Sequence, residues 1–234
     1  MRQRATRELA TRMSSWIMAA YALCMGANAQ AAPAKPDKHA STAEMPSQVA
    51  VCIGCHGARG EGNVTAGFPR LAGTGAAYLS EQLANFASGQ RASAVMQPFA
   101  QALSPEQREA AVRYFSTLPA AAPTDARLPV TPSQTGAWLA TRGRWNDGLP
   151  ACVQCHGPGG TGVGQHFPPL AGQPATYLAR QLSDWKAGQR PPGPLGLMPA
   201  IAKKLSDAEI TAVADYYATL GTPAPQDAKP EGQP

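Results

Sequence analysis

The chain has 234 residues, including 23 glycines and 23 prolines, and only 15% of its residues are charged, which favours one or two small, loop-rich domains over a single large core. Its formal charge of +5 falls to +2 without the first 29 residues, which hold four arginines and one glutamate. A function in nucleic-acid binding therefore loses its main support.

The N-terminal segment has the pattern of an export signal. Four arginines precede an apolar stretch at residues 16–26, which is followed by small residues typical of a signal-peptidase site. We therefore predict a cleaved signal peptide at residues 1–29 and a periplasmic mature protein. A retained membrane anchor is the competing interpretation, but the apolar stretch is short for a membrane span. Residues 30–46 are polar, and we predict that they form a flexible tail.

One pentapeptide motif occurs twice. The two copies are Cys52-Ile53-Gly54-Cys55-His56 and Cys152-Val153-Gln154-Cys155-His156. Two cysteines at this spacing present both thiols to one edge of a porphyrin, and the histidine that follows is placed to bind the iron. The sequence therefore predicts two covalently bound haem c groups. The predicted attachment residues are Cys52, Cys55 and His56 for one haem, and Cys152, Cys155 and His156 for the other.

Three other interpretations of the cysteines are weaker. Paired disulfides suit an exported protein but do not explain a histidine directly after the second cysteine in both copies. A zinc site needs four ligands, and adjacent Cys and His side chains do not converge easily on one tetrahedral ion. A thioredoxin-like redox pair needs a preceding strand, for which the sequence gives no signal.

The two motifs lie in two copies of one module. Beyond the motifs, the matching segments are residues 68–73 with 167–172, Tyr78-Leu79 with Tyr177-Leu178, Gln82 with Gln181, Gly89-Gln90-Arg91 with Gly188-Gln189-Arg190, and Met96 with Met198. Such internal repetition indicates two equivalent domains. We predict the domains at residues 47–118 and 135–221, a Pro/Ala-rich linker at 119–134, and a flexible C-terminal tail at 222–234.

Each copy is predicted to contain short helices joined by long loops. Apolar and aromatic residues recur at helical spacing over residues 74–88 and 174–187. Ser104 and Ser206 each begin a capping box for a final helix. Strands have no comparable signal, so the predicted fold class is all-α.

Each haem iron needs a second axial ligand, and methionines are the candidates. Met96 and Met198 occupy equivalent positions, seven residues before the Leu-Ser pair that opens the final helix. Methionine is a soft, neutral ligand that favours ferrous iron. We therefore predict that His56 and Met96 bind one iron and that His156 and Met198 bind the other. His166 is interpreted as a surface residue, because the first copy has no counterpart.

Other residues are predicted to support these sites. The carbonyl oxygens of Pro69 and Pro168 are placed to accept hydrogen bonds from the free ring nitrogens of the two histidines.

Arg91 and Arg190 follow glycines suited to helix C-termini, and they either neutralise haem propionates or are solvated. The adjacent Lys203 and Lys204 either help to dock an acidic partner or belong to a solvated face.

On these motifs the chain resembles the dihaem cytochromes c of the cytochrome c4 family, over nearly all of its predicted mature length. The resemblance implies two all-α class I cytochrome c domains about a pseudo-twofold axis. It also implies His and Met ligands on each iron and periplasmic electron transfer toward a terminal oxidase. The chain departs from the family in the second methionine loop, at residues 190–199, which is longer and richer in proline than its partner.

We therefore expect a monomeric electron carrier without catalytic activity, because filled axial positions leave no vacant iron site. Its expected donor is a quinol-oxidising complex or a dehydrogenase, and its expected acceptor is a terminal oxidase. Peripheral membrane association is compatible with this role. Alternatives are a cytochrome subunit of a dehydrogenase complex and, with less support, a dihaem peroxidase-like or sulfur-compound oxidoreductase.

Overall fold

The computed structural model describes residues 46–121, 131, 133–193 and 195–221, which all belong to one compact unit. The predicted signal peptide, the N-terminal tail before residue 46, most of the predicted linker and the predicted C-terminal tail lie outside the described residues.

In these ranges the chain forms nine α-helices. They are α1 (Ala50–His56), α2 (Ala76–Ala87), α3 (Met96–Ala102), α4 (Pro105–Thr117), α5 (Thr135–Thr141), α6 (Val153–His156), α7 (Ala175–Lys186), α8 (Leu197–Ala202) and α9 (Asp207–Thr219). Short 3-10 turns occupy Ser47–Val49, Trp145–Asp147 and Pro158–Gly160. Pairing of the β type is limited, among the described residues, to three isolated bridges, and the all-α prediction is confirmed.

Each repeat has its own small core beneath its final helix. In the first repeat α2 packs against α3 and α4, and in the second α7 packs against α8 and α9. The buried core of the first repeat consists of Val49, Leu79, Ala111, Val112 and Phe115. The larger core of the second consists of Leu139, Ala140, Leu149, Ala171, Leu178, Leu205, Ile210, Val213, Ala214, Tyr217 and Leu220. None of the helices in the described ranges has the length and hydropathy needed to span a membrane.

Both final helices begin with the predicted capping boxes. The Ser104 hydroxyl accepts the Gln107 N–H, and the Gln107 side chain accepts the Ser104 N–H at 2.8 Å. Ser206 and Glu209 make the same reciprocal pair at the start of α9. The helices predicted at 74–88 and 174–187 correspond to α2 and α7.

The methionines lie on short helices, and the prediction that they lie in loops is wrong. Met96 is the first residue of α3, and Met198 is the second residue of α8. Pro98 and Pro199 fall in the first turn of these helices, where a missing N–H breaks no intrahelical hydrogen bond. Both prolines are therefore compatible with the starts of these helices.

The second repeat has an additional helix, α5, that packs on the final helix α9. The contact is close because Gly136 has no side chain, and a Cβ at this position would lie 2.0 Å from the carbonyl oxygen of Ala212. The predicted linker also begins in contact with the first repeat. The Pro119 carbonyl accepts from Arg70 Nη2 at 2.8 Å, and Ala121 is buried.

We expect Gly136→Ala to destabilise the second repeat by roughly 1–3 kcal/mol, because overpacking forces α5 away from α9. Guanidinium unfolding followed by far-UV circular dichroism measures this change. Gly54→Ala is the control, since Gly54 is exposed in α1 and a Cβ there meets no atom within 4 Å. Equal stability of the Gly136→Ala variant and the control would contradict the packing argument.

Candidate functional site

A cavity of about 600 Å³ is lined by residues from both repeats. Its lining includes all eight residues predicted to hold haem, namely Cys52, Cys55, His56, Met96, Cys152, Cys155, His156 and Met198. In the structure, both Cys-x-x-Cys-His motifs and both predicted methionine ligands line this one cavity. Most of the remaining lining is apolar, as in cofactor sites generally.

The motif histidines end short helices, and a glycine redirects the chain after each. His56 is the last residue of α1 and His156 the last residue of α6. Gly57 has φ = 86° and Gly157 has φ = 79°, a backbone conformation that favours glycine. The chain then folds back, and the two histidine carbonyl oxygens accept N–H groups of Gly62 and Gly162, each at 2.7 Å.

The predicted hydrogen bonds from histidine to proline are confirmed. Nδ1 of His56 lies 2.8 Å from the Pro69 carbonyl oxygen, and Nδ1 of His156 lies 2.8 Å from that of Pro168. Because a carbonyl only accepts, each Nδ1 must carry the proton, which leaves Nε2 free to bind a metal. Burial lowers the pKa of both histidines, partly offset by these hydrogen bonds, so both rings favour the neutral form that a metal ligand requires.

The first cysteine of each motif is held in an environment that disfavours thiolate. Burial raises the pKa of Cys52, and it raises the pKa of Cys152 to about 11. Within the described ranges no three His, Cys, Asp or Glu side chains cluster as a metal site. The raised pKa values do not favour the thiolate form that zinc sites and thioredoxin-like thiol pairs use.

Arg91 connects the two repeats through a buried hydrogen-bond network. It donates to Gln82 of its own repeat at 2.7 Å, and across the interface to Tyr177 at 3.2 Å and to Gln181. Its guanidinium carbon also lies 4.5 Å from the centre of the Phe86 ring. The interpretation of Arg91 as a solvated residue is wrong, because only 7% of it is exposed.

Arg190 makes the equivalent contacts from the second repeat. It donates to Gln181 at 3.0 Å, and across the interface to Tyr78 at 2.8 Å and to Gln82 at 3.1 Å. Its guanidinium carbon lies 3.8 Å from the centre of the Trp185 ring. The arginine of each repeat therefore binds the glutamine of both repeats, and 5% of Arg190 is exposed.

These two buried cations have neutral hydrogen-bond partners, and among the described residues neither forms an ion pair. All six side chains of the network line the cavity: Tyr78, Gln82, Arg91, Tyr177, Gln181 and Arg190. Burial of an unpaired charge is costly, so this arrangement suits an anionic group that enters the cavity. The network could therefore hold carboxylates of a cofactor bound in the cavity.

A second set of contacts between the repeats lacks this symmetry. The Gln173 side chain accepts the Arg70 N–H at 3.0 Å and donates to the Arg70 carbonyl at 2.9 Å. The Tyr78 N–H donates to the Gln165 carbonyl at 3.1 Å. Pro169 and Thr74 occupy the positions equivalent to Arg70 and Gln173, so the repeat alignment carried no signal for these contacts.

Exposed apolar side chains occur where the cavity meets the surface. Val95 and Phe99 in the first repeat and Leu195 and Leu197 in the second line the cavity, and each is more than 40% exposed. His166 also lies on the exposed surface, as predicted.

Lys204 is tied to the protein surface, since its Nζ donates to the Asp147 carbonyl at 2.6 Å. The neighbouring Lys203 is exposed. The lysine pair therefore offers one tethered and one exposed ammonium group.

The family model described as "Cytochrome C oxidase, cbb3-type, subunit III" matches residues 47–115 and 139–216. Among curated proteins, the chain is 47% identical over 184 residues to a thiosulfate dehydrogenase electron acceptor of Thiomonas intermedia. The match covers 76% of this chain and 82% of that protein.

Two solved structures also match this chain. Thiosulfate dehydrogenase (TsdBA) of Marichromatium purpuratum matches with 45% identity and a TM-score of 0.64, over 77% of this chain but only 40% of the other. Reduced cytochrome c4 of Pseudomonas stutzeri matches with 34% identity and a TM-score of 0.64, over 74% of this chain and 95% of the other. The two repeats therefore have the fold of this cytochrome c4 and of a part of the TsdBA chain.

Proposed function

The chain belongs to the cytochrome c4 family of dihaem c-type cytochromes, and from this premise we propose that it accepts electrons from a thiosulfate dehydrogenase. The observation that carries the proposal is the 47% identity to a thiosulfate dehydrogenase electron acceptor, against 34% to the solved cytochrome c4. A similar module also forms part of the longer TsdBA chain. Of the roles expected from the sequence, this supports the cytochrome partner of a dehydrogenase over a carrier that serves mainly a terminal oxidase.

We assign the haem-binding roles to the residues that line the cavity. Cys52 and Cys55 would hold the first haem by thioether bonds, with His56 and Met96 as iron ligands. Cys152 and Cys155 would hold the second, with His156 and Met198 as ligands. The free Nε2 of each histidine and the equivalent position of each methionine in the cavity support this assignment. When bound, each haem supplies a one-electron couple between ferric and ferrous iron.

The buried arginines complete this assignment. Arg91 and Arg190 would face the propionates of both haems, since they provide the two cationic groups of the interface network. This contact would place both haems near the contact between the repeats, where an electron can pass from one to the other. The interface would thus serve electron transfer as well as stability.

A carrier without substrate chemistry fits these residues better than an enzyme. With His and Met as ligands of each iron, neither oxygen nor a small sulfur compound would find a vacant position. The exposed side chains of Val95, Phe99, Leu195 and Leu197 would form small apolar contacts with redox partners, as is usual for transient encounters. Electrons would leave toward a terminal oxidase, and the N-terminal sequence pattern favours a periplasmic location.

The direct test is to mix the oxidised dihaem protein with a thiosulfate dehydrogenase and thiosulfate, and to follow the reduced haem bands by stopped-flow absorbance. We expect reduction of both haems, at a rate that rises with the concentration of the dehydrogenase. Controls omit thiosulfate or the dehydrogenase. Failure of the enzyme to reduce the protein, while ascorbate reduces both haems, would refute the proposed donor.

A further inference from the structure

Phe115 of the first repeat and Tyr217 of the second occupy equivalent positions, and their side chains differ by one hydroxyl oxygen. Phe115 in α4 and Tyr217 in α9 each accept a glycine N–H on the backbone carbonyl, from Gly73 and Gly172, and both distances are 3.0 Å. Their rings pack in the same way on Gly60 and Gly160. A Cβ on either glycine would lie within 2.7 Å of the ring. Both aromatic residues also line the cavity.

The extra hydroxyl of Tyr217 is in an unfavourable place for packing alone. Tyr217 is 1% exposed, and its hydroxyl has no hydrogen-bond partner among the described residues. A buried polar group without a partner is unfavourable, and a phenyl ring fills the same space in the first repeat. The hydroxyl is therefore a buried donor without an acceptor in the present arrangement of side chains.

Cys152 packs against the buried core cluster that contains Tyr217, and both residues line the cavity. Burial raises the pKa of Tyr217, and the interaction with Cys152 raises it further. The Cys152 sulfur lies 3.9 Å from the Leu139 carbonyl oxygen, which can accept a weak hydrogen bond from the free thiol. Once the sulfur forms a thioether it has no proton and can only accept a hydrogen bond.

We propose that the Tyr217 hydroxyl donates a hydrogen bond to the thioether sulfur of Cys152 and thereby raises the reduction potential of the second haem. The positive end of the O–H dipole would point toward the porphyrin edge, where it stabilises the electron-rich ferrous state. Phe115 lacks this dipole, so the first haem would not be raised in the same way. The inference concerns the haem environment and does not depend on which protein donates electrons.

The test uses the holoprotein with Tyr217→Phe and the reciprocal Phe115→Tyr. In the Tyr217→Phe variant we expect the ferrous-to-ferric ratio of the second haem, at a fixed applied potential, to fall about threefold to tenfold. For one electron this is about 30–60 mV. Paramagnetic NMR of the haem methyl groups during a redox titration assigns each change to one haem. The first haem should not change, whereas Phe115→Tyr should raise its potential.

A second readout separates hydrogen bonding from packing. The C–S stretching bands in the resonance Raman spectrum should shift in Tyr217→Phe, because the thioether sulfur loses its donor. An unchanged potential and an unchanged C–S band in Tyr217→Phe would overturn the proposal. Tyr217→Phe removes a single atom and leaves the ring in place, so it decides the matter even if Phe115→Tyr fails to fold.

Discussion

Replacing Met198 with histidine should lower the reduction potential of the second haem by roughly a few tenths of a volt, within the ~0.8 V range that axial ligands cover. Methionine is a soft, neutral ligand that favours ferrous iron, whereas a second histidine favours ferric iron. Met198 lies on α8 and lines the cavity together with His156. A spectroelectrochemical titration of the holoprotein measures the shift, and the weak far-red charge-transfer band of methionine ligation should lose about half its intensity.

Met96→His is the matched variant, and it should lower the potential of the first haem instead. The double variant should lose the far-red band entirely while both haems stay covalently attached, since the cysteines are unchanged. Retention of the full band and of both potentials in either single variant would show that the replaced methionine is not an iron ligand.

Replacing Arg91 with leucine should lower both the haem potentials and the stability of the contact between the repeats. A cation near a haem disfavours the ferric state, which carries one more positive charge, and removal of a charge within about 10 Å shifts a potential by on the order of 50–100 mV. The variant also removes the hydrogen bonds that Arg91 donates across the interface to the Tyr177 hydroxyl and the Gln181 side chain. We expect a loss of roughly 1–3 kcal/mol in the free energy of unfolding.

The same variant should make the haem potentials depend on pH. If the propionates face Arg91 and Arg190 as proposed, the two buried guanidinium groups would hold the pKa of such a propionate low and keep it ionised at neutral pH. Without Arg91 that pKa rises, and the potential then falls as pH increases through it, because the ionised propionate favours ferric iron.

Titrations between pH 5 and pH 8 test this dependence. Arg190→Leu is the matched variant, and Arg113→Leu is the control, since Arg113 is exposed and forms an ion pair with Glu109 on the surface of α4. If Arg91→Leu and the control gave the same potentials at every pH, the propionate assignment would be wrong.

The sequence was most informative where both repeats carry the same local pattern. The capping boxes at Ser104 and Ser206 and the hydrogen bonds from His56 and His156 to prolines depend on residues close in the chain, so comparing the copies was enough. The short helix that begins at Met96 was not predicted, because the residues around the methionines were interpreted as loops. At a first turn proline is compatible with a helix, which residue type alone does not reveal.

Contacts between the repeats could not be predicted, because they join residues about one hundred positions apart. The repetition of Gly-Gln-Arg identified Arg91 and Arg190 as equivalent, but it gave no indication that each reaches the other repeat. The asymmetric pairing of Gln173 with Arg70 left no trace in the alignment at all. The Tyr217 and Phe115 pair was visible in the aligned copies, yet only its burial shows that the hydroxyl needs a partner.

The reciprocal contacts of the two arginines have the form of an interface between identical subunits. Arg91 binds Tyr177 and Gln181, while Arg190 binds the equivalent Tyr78 and Gln82. In a symmetric homodimer one gene specifies both faces, so every substitution appears twice. Joining the subunits in one chain removes this restriction. The arginine network can then be kept while substitutions accumulate in one repeat and not in the other. A fused dimer can therefore hold two unequal haems, whereas a homodimer must hold two equal ones.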